Sequence, residues 1–219
     1  MFISFEGLDG SGKSTQVNLL LARLRAAGHD PVSLREPGGT DVSEQIRDIL
    51  LNDRLDIFPF AEMLLFSAAR AQLVREVIRP AIDTGRIVIC DRFLDSTVAY
   101  QGAGRGVADV DWLAGFQRRV AGGVLPDRTY LIRLDPDAAA ERLRQRIGPA
   151  AGDRMEQAGI DFFRTVAEAY DGIAASEPER VHVVDGSRSI DEIFELIWTD
   201  LAPRLPRPAD AGTGSAGSG

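Results

Sequence analysis

Residues 7–14 read GLDGSGKS, and no other feature constrains the chain as tightly. The octet fits G-x-x-x-x-G-K-[ST]. An apolar run, FISFE (2–6), precedes it, and a segment with helical periodicity, QVNLLLARLRAAG (16–28), follows it. That strand–loop–helix setting is what gives the pattern its meaning. Glycines let successive backbone N–H groups curl around a polyphosphate, and the following helix adds the positive end of its dipole. Gly7, Leu8, Asp9, Gly10, Ser11, Gly12, Lys13, Ser14 and Thr15 are therefore the expected phosphate-loop residues. Lys13 would reach the outer phosphates and the Ser14 hydroxyl would ligate a divalent metal. A tight turn with an exposed lysine is the plain alternative. Against it, only one of the 25 lysines and arginines is a lysine, and that one is Lys13. A site at position 13 that needs a compact ammonium explains the exception.

The rest of the chain alternates between apolar runs and amphipathic segments. DPVSLREPGGT (30–40), ending in a Pro-Gly-Gly break, RIVICDR (86–92), RTYLIRLD (128–135) and RVHVVDG (180–186) read as further strands. Helices are expected over 41–51, 59–85 with Pro80 kinking or interrupting it near the end, 95–103, 109–121, 137–147, the segment around Phe163 to Ala174, and 189–205. Ser189 with Glu192 three residues on is a capping box. This β-α alternation specifies an α/β three-layer sandwich, a five-stranded parallel sheet with helices on both faces. One domain is expected over 1–205, with a short lid at about 142–156. From 206 to 219 the Pro, Gly, Ala and Ser composition has nothing to bury and reads as a disordered tail.

Third-strand apolar residues run into Asp91, one strand away from the phosphate loop. That is a second metal ligand in prospect, with a strand-end turn as the alternative. Glu6, ending the first strand, is open between the metal shell and a structural hydrogen bond. Ligands of such sheets bind beyond the carboxyl ends of the strands, and all these residues lie there.

Several classes fall away. No run approaches 18 apolar residues, which excludes a membrane span, and no basic, then apolar, leader is visible. The net charge of −8 disfavours a nucleic-acid surface. The single cysteine, Cys90, excludes an intrachain disulfide, all but excludes a cysteine-built metal centre, and suits a reducing, cytoplasmic setting. His29 and His182 are isolated, and Trp112 and Trp198 read as core or interface. An N-K-x-D guanine motif needs a second lysine, so a GTPase switch is excluded. What remains is a small phosphoryl-transfer enzyme with a second anion site and a water-excluding lid. Arg35, Arg70 and Arg92 are the candidates for that site.

FEGLDGSGKST, LREPGGT, LLFSAAR, DRFLDSTVAYQGAGRG and DRMEQ occur in this order. In this respect the chain resembles bacterial thymidylate kinases over about residues 1–200. DRxxxSxxAYQG is the most family-specific piece. The resemblance implies an ATP:dTMP phosphotransferase working with Mg²⁺, held by Ser14 and Asp91, and assembled as a homodimer through the helix at 59–79. It implies that Asp9 accepts the 3′-hydroxyl of dTMP, Phe66 stacks on thymine and Arg70 donates to a ring carbonyl. Without the family pattern, Phe66 reads as core. Arg35 and Arg92 would hold the dTMP phosphate, Pro37 would be cis, and Tyr100 would pack against the deoxyribose. Ser96, Thr97 and Gln101 would face the base edge. The phosphate loop has no arginine, so the transition-state cation would come from the lid: Arg146 first, Arg144 second, with Arg142 and Arg154 nearby. The competing readings are another P-loop (deoxy)nucleotide or deoxynucleoside kinase, and a non-catalytic nucleotide-binding module.

Overall fold

A computed structural model describes residues 1–147 and 159–207, the side chains of 146 and 147 excepted. Five strands, β1 (Phe2–Glu6), β2 (Val32–Arg35), β3 (Val88–Asp91), β4 (Arg128–Arg133) and β5 (Val181–Asp185), pair in parallel in the order β2-β3-β1-β4-β5. The expected sheet is therefore present, with the phosphate-loop strand in the middle. Phe5 is level with Asp91, and Asp91 with Arg35. The carboxyl ends of three strands thus open onto one crevice, as parallel sheets of this kind require.

On one face α1 (Lys13–Ala26) and α9 (Ile190–Leu201) pack over Ile3 and Phe5 through Leu20, Leu24, Ile197 and Leu201, all four fully buried. Each such side chain contributes roughly 2 kcal/mol of transfer free energy. The α9 start has the expected capping box: Ser189 accepts from the Glu192 N–H while Glu192 accepts from the Ser189 N–H. The other face carries α3 (Pro59–Leu73), α4 (Arg79–Asp83), α5 (Leu94–Thr97), α6 (Val110–Val120) and α8 (Ile160–Ser176). Two more helices complete the set among the described residues: α2 (Asp41–Leu51), which packs on α3, and α7 (Pro136–Ile147), which packs on α8.

The expected long helix differs in one respect. Pro80 does not break it; a π-helical turn, Val74–Ile78, sits just ahead of the proline. Proline has no N–H to donate and its ring crowds the carbonyl four residues back, so a wider turn at that point lets the helix continue. A second π turn, Val98–Gly104, carries Tyr100 and Gln101. Trp112, expected in a core or an interface, is about half exposed and stacks on Phe116. The segment 148–158 with Arg154, and the tail from 208, lie outside the described residues, so much of the expected lid does too. No described helix is long and apolar enough to cross a membrane.

Candidate active site

Backbone geometry builds the phosphate loop. Gly7, Gly10 and Gly12 have φ of 134°, 84° and 100°. A Cβ on Gly7 would lie 2.5 Å from the Ile132 carbonyl oxygen, and one on Gly10 would lie 2.3 Å from that of Ala139. Only glycine satisfies both the dihedral and the space. The Leu8 side chain points into the core, so it can offer the site only its backbone. Lys13 is 6% exposed and donates to the carbonyls of Gly7 (3.1 Å) and Leu8 (2.8 Å). Burial, reinforced by Arg92, pulls its ammonium down to about 8, while Asp9, Asp91 and Glu6 act in the opposite direction. A cation held this way is drawn to incoming anionic oxygens.

Ser14 Oγ donates to Asp91 Oδ2 at 2.7 Å, joining the first turn of α1 to the end of β3. The two hard oxygen donors are adjacent at the mouth of the loop and line the same cleft. They fit a small divalent cation that keeps most of its shell from phosphate and water.

Arg92, immediately after β3, has φ of 72° and is the only non-glycine residue among those described in that region. Strain of this kind, about 1–3 kcal/mol, persists where surrounding bonds over-determine it. Here they do. The Arg92 N–H donates to Phe5 O (2.9 Å), and the Phe93 N–H donates to Glu6 Oε1 (2.7 Å). Arg92 Nη2 donates to Asp9 Oδ1 (2.7 Å) and Tyr100 Oη (3.0 Å), and its guanidinium lies 4.8 Å from the Tyr100 ring centroid. Although burial pushes the other way, Arg92 and Lys13 hold the Asp9 carboxyl well below the usual range. Glu6 is fully buried, with both oxygens engaged by donors. Of its two readings the structural hydrogen bond holds. Burial, and next the Asp95 carboxylate, push its carboxyl up to about 7.

A cleft of about 300 Å³ gathers Asp9, Gly10, Gly12, Lys13, Ser14, Thr15, Arg35, Pro37, Phe66, Arg70, Asp91, Arg92, Ser96, Thr97, Tyr100 and Gln101. Most of the residues singled out in the sequence therefore meet in one place. Phe66 is half-buried and lines the cleft, which sets aside the core reading. The Glu36–Pro37 bond is cis. Arg35 is half exposed and paired with Glu44 (2.9 Å), at the cleft rim.

The residues expected at the base already have protein partners. Arg70 is 1% exposed and its donors reach Glu36, Thr97 Oγ1 (3.0 Å), Gln117 Oε1 (2.6 Å) and Phe93 O (3.0 Å). Thr97 thus holds Arg70, and Gln101 donates to Glu62 (2.8 Å). Ser96 departs from the expectation of a base-edge residue: its hydroxyl donates to Glu6 (2.6 Å) and meets Tyr170 (2.9 Å).

Arg144 is not brought to the cleft; it is mostly exposed and pairs with Glu141 one turn back on α7. Arg142 donates to the Gly186 carbonyl (3.0 Å). The Arg146 side chain lies outside the described residues. Three site residues escaped the sequence reading. Arg47 lines the cleft and donates to Pro37 O (2.9 Å), Glu36 holds Arg70, and Tyr170 reaches Arg92 from α8. One arginine among many, and a tyrosine with core periodicity, carry no local signal. Glu36 directly precedes the expected cis proline and was legible only as part of LREPGGT.

A parallel sheet with β1 in its centre, a glycine loop closed by Lys13, a Ser14–Asp91 pair and an arginine across the cleft define a P-loop kinase. The thymidylate kinase family profile matches residues 5–197. Thymidylate kinase of Deinococcus radiodurans is 45% identical over 93% of this chain and 97% of its own length. That of Chlorobaculum tepidum is 47% identical over 92% and 96%. The crystal structure of thymidylate kinase from Ehrlichia chaffeensis superposes with a TM-score of 0.73 at 33% identity, covering 92% of this chain and 98% of that one. The chain belongs to the thymidylate kinase family.

Proposed function

We infer that the protein transfers the γ-phosphoryl group of ATP to dTMP, making dTDP for nucleotide biosynthesis. One observation carries the mechanistic part: Asp9 touches the cation of each half-site, Arg92 at 2.7 Å and Lys13 at 4.0 Å. The donor-side ammonium and the acceptor-side guanidinium are thus within one side chain's reach of each other. The acceptor phosphate oxygen is already a nucleophile, so no general base is needed. What must be overcome is repulsion between two anions, and fixed cations in a shielded cleft do that. Lys13 holds the outer donor phosphates, Arg92 with Arg35 holds the acceptor phosphate, and Tyr100 lies under the sugar. Asp9 accepts the 3′-hydroxyl, while Phe66 and Arg70 bind the base. Arg146 would supply the lid cation.

Ser14 and Asp91 would hold Mg²⁺, which when bound neutralises charge on the donor oxygens. We also propose a cytoplasmic homodimer. Phe60 and Leu64, one helical turn apart on α3, are each more than two-fifths exposed, and Phe58 beside them is 73% exposed. Such an apolar face suits a second copy.

The test is an acceptor panel of dTMP, dUMP, dCMP, UMP and thymidine with ATP and Mg²⁺, with the nucleotide products resolved by chromatography. Fastest conversion of dTMP to dTDP supports the reading. Preferential use of another acceptor, or no transfer to any, overturns it.

A further inference from the structure

Glu6 has no part in the binding scheme above, yet its surroundings are unusual. Its carboxylate collects donors from two distant segments. Oε1 takes the Phe93 N–H (2.7 Å), and Oε2 takes the hydroxyls of Ser96 (2.6 Å) and Tyr170 (2.8 Å), the latter 164 residues away. Each hydroxyl has one proton. With both protons directed at Glu6, the remaining lone pairs face Arg92, whose Nη1 lies 3.1 Å from Ser96 Oγ and 3.3 Å from Tyr170 Oη. The same Nη1 donates to Gly7 O at 3.0 Å, within the phosphate loop. A guanidinium can only donate, so at least one hydroxyl proton must go to Glu6; the two hydroxyls lie 2.9 Å apart, and the other proton can go to Glu6 or to its neighbour while both oxygens still accept from Arg92. Were the hydroxyls turned round, two O–H groups would confront N–H groups.

We propose that Glu6 is a positioning residue for the acceptor phosphate. By orienting Ser96 and Tyr170 as acceptors and pinning the Phe93 N–H, it holds Arg92 in its left-handed turn with the guanidinium aimed into the cleft. This rests on the reading of Arg92 as a ligand of the acceptor phosphate. Glu6 itself is fully buried and does not line the cleft. Its effect is therefore specific to the acceptor side, whereas a merely structural role would affect both substrates alike.

Glu6→Gln tests this with almost no change of shape. Its amide oxygen can still meet the Phe93 N–H, but its NH₂ then donates to Ser96 and Tyr170 and turns at least one of their protons towards Arg92. The expected result is a KM for dTMP raised about tenfold or more, with the KM for ATP within about twofold of wild type. Tyr170→Phe, which removes one of the two acceptors, should shift the dTMP KM in the same direction by less. In an Arg92→Ala background, Glu6→Gln should add nothing further, because the two act as a unit. Equal effects on both KM values, or independent effects of the two substitutions, overturn the proposal. If Glu6→Gln does not fold, Tyr170→Phe decides by the same split. A normal dTMP KM for Arg92→Ala overturns the reading of Arg92 and this proposal together. A raised one, with Glu6→Gln unchanged, overturns this proposal alone.

Discussion

Asp9 Oδ1 and Arg92 Nη2 are 2.7 Å apart, so a carboxylate of the phosphate loop neutralises the arginine across the cleft. In the proposed reading, an arriving acceptor phosphate competes with a protein anion for the same guanidinium. The pair also links site and stability. The Asp9 carboxyl is held below its ordinary value, so its contribution is fully present above about pH 4 and is lost as the pH falls further. Asp9→Asn should cost about 1–2 kcal/mol near neutrality, since the pair is only partly buried. The gap from wild type should shrink progressively below pH 4. Urea unfolding at a series of pH values checks it, and a gap that widens in acid would contradict the assignment.

Lys13→Met should lower kcat about a thousandfold or more, because the ammonium has no substitute on the donor phosphates. The fold should survive with Tm within a few degrees. The substitution removes a buried charge whose desolvation already works against it. Steady-state kinetics with thermal unfolding separate the two effects.

Tyr100 combines a ring beneath Arg92 with a hydroxyl that donates to Asp9 at 3.2 Å. Tyr100→Phe keeps the ring and should retain most discrimination between dTMP and UMP, with a modest loss in kcat/KM. Tyr100→Ala opens the space and should relax that discrimination about tenfold or more. Unchanged selectivity in the alanine variant would refute the steric account.

Chelation by EDTA should abolish transfer, and added Mg²⁺ should restore it. Asp91→Asn should raise the Mg²⁺ concentration for half-maximal rate several-fold, because one anionic oxygen at the loop mouth is lost. An unchanged Mg²⁺ titration in that variant would remove Asp91 from the metal site.

The turn after β3 is anchored by a further ion pair, in which Arg180 grips Asp95 through two hydrogen bonds of 2.7 and 2.9 Å. Asp95 is 2% exposed. Asp95→Ala empties a buried carboxylate position and leaves the largely buried Arg180 guanidinium with Glu177 as its remaining acidic partner, and should destabilise by about 3 kcal/mol. At this chain length that is roughly 6–12 °C in Tm by calorimetry.

What could be read along the chain was whatever local backbone chemistry dictates. GLDGSGKS between a strand and a helix, the Ser189–Glu192 cap and the apolar run into Asp91 each constrain only their neighbours, and each sits where expected. Side-chain destinations set by distant partners could not be read. Glu6 was undecided because Ser96 and Tyr170, which claim it, come from segments far along the chain. Arg70 and Thr97 read as base contacts, yet they also bond each other. Pro80 left an interruption open because the wider turn ahead of it, which carries the helix through, has no residue signature of its own. Arg144 stood beside the lid in sequence, but the helical phase of α7 turned it towards solvent and Glu141.

Gly10 touches the carbonyl of Ala139, and an added methyl there would also lie 3.2 Å from the Leu143 N–H. The phosphate loop and the middle turn of α7 are consequently in backbone-to-backbone register, with no side chain between them to act as a cushion. Any swing of the far end of α7 has to pivot beyond Leu143, because displacement nearer than that would deform the cradle itself. The absence of a single carbon atom at position 10 thus makes the first half of that helix part of the rigid frame.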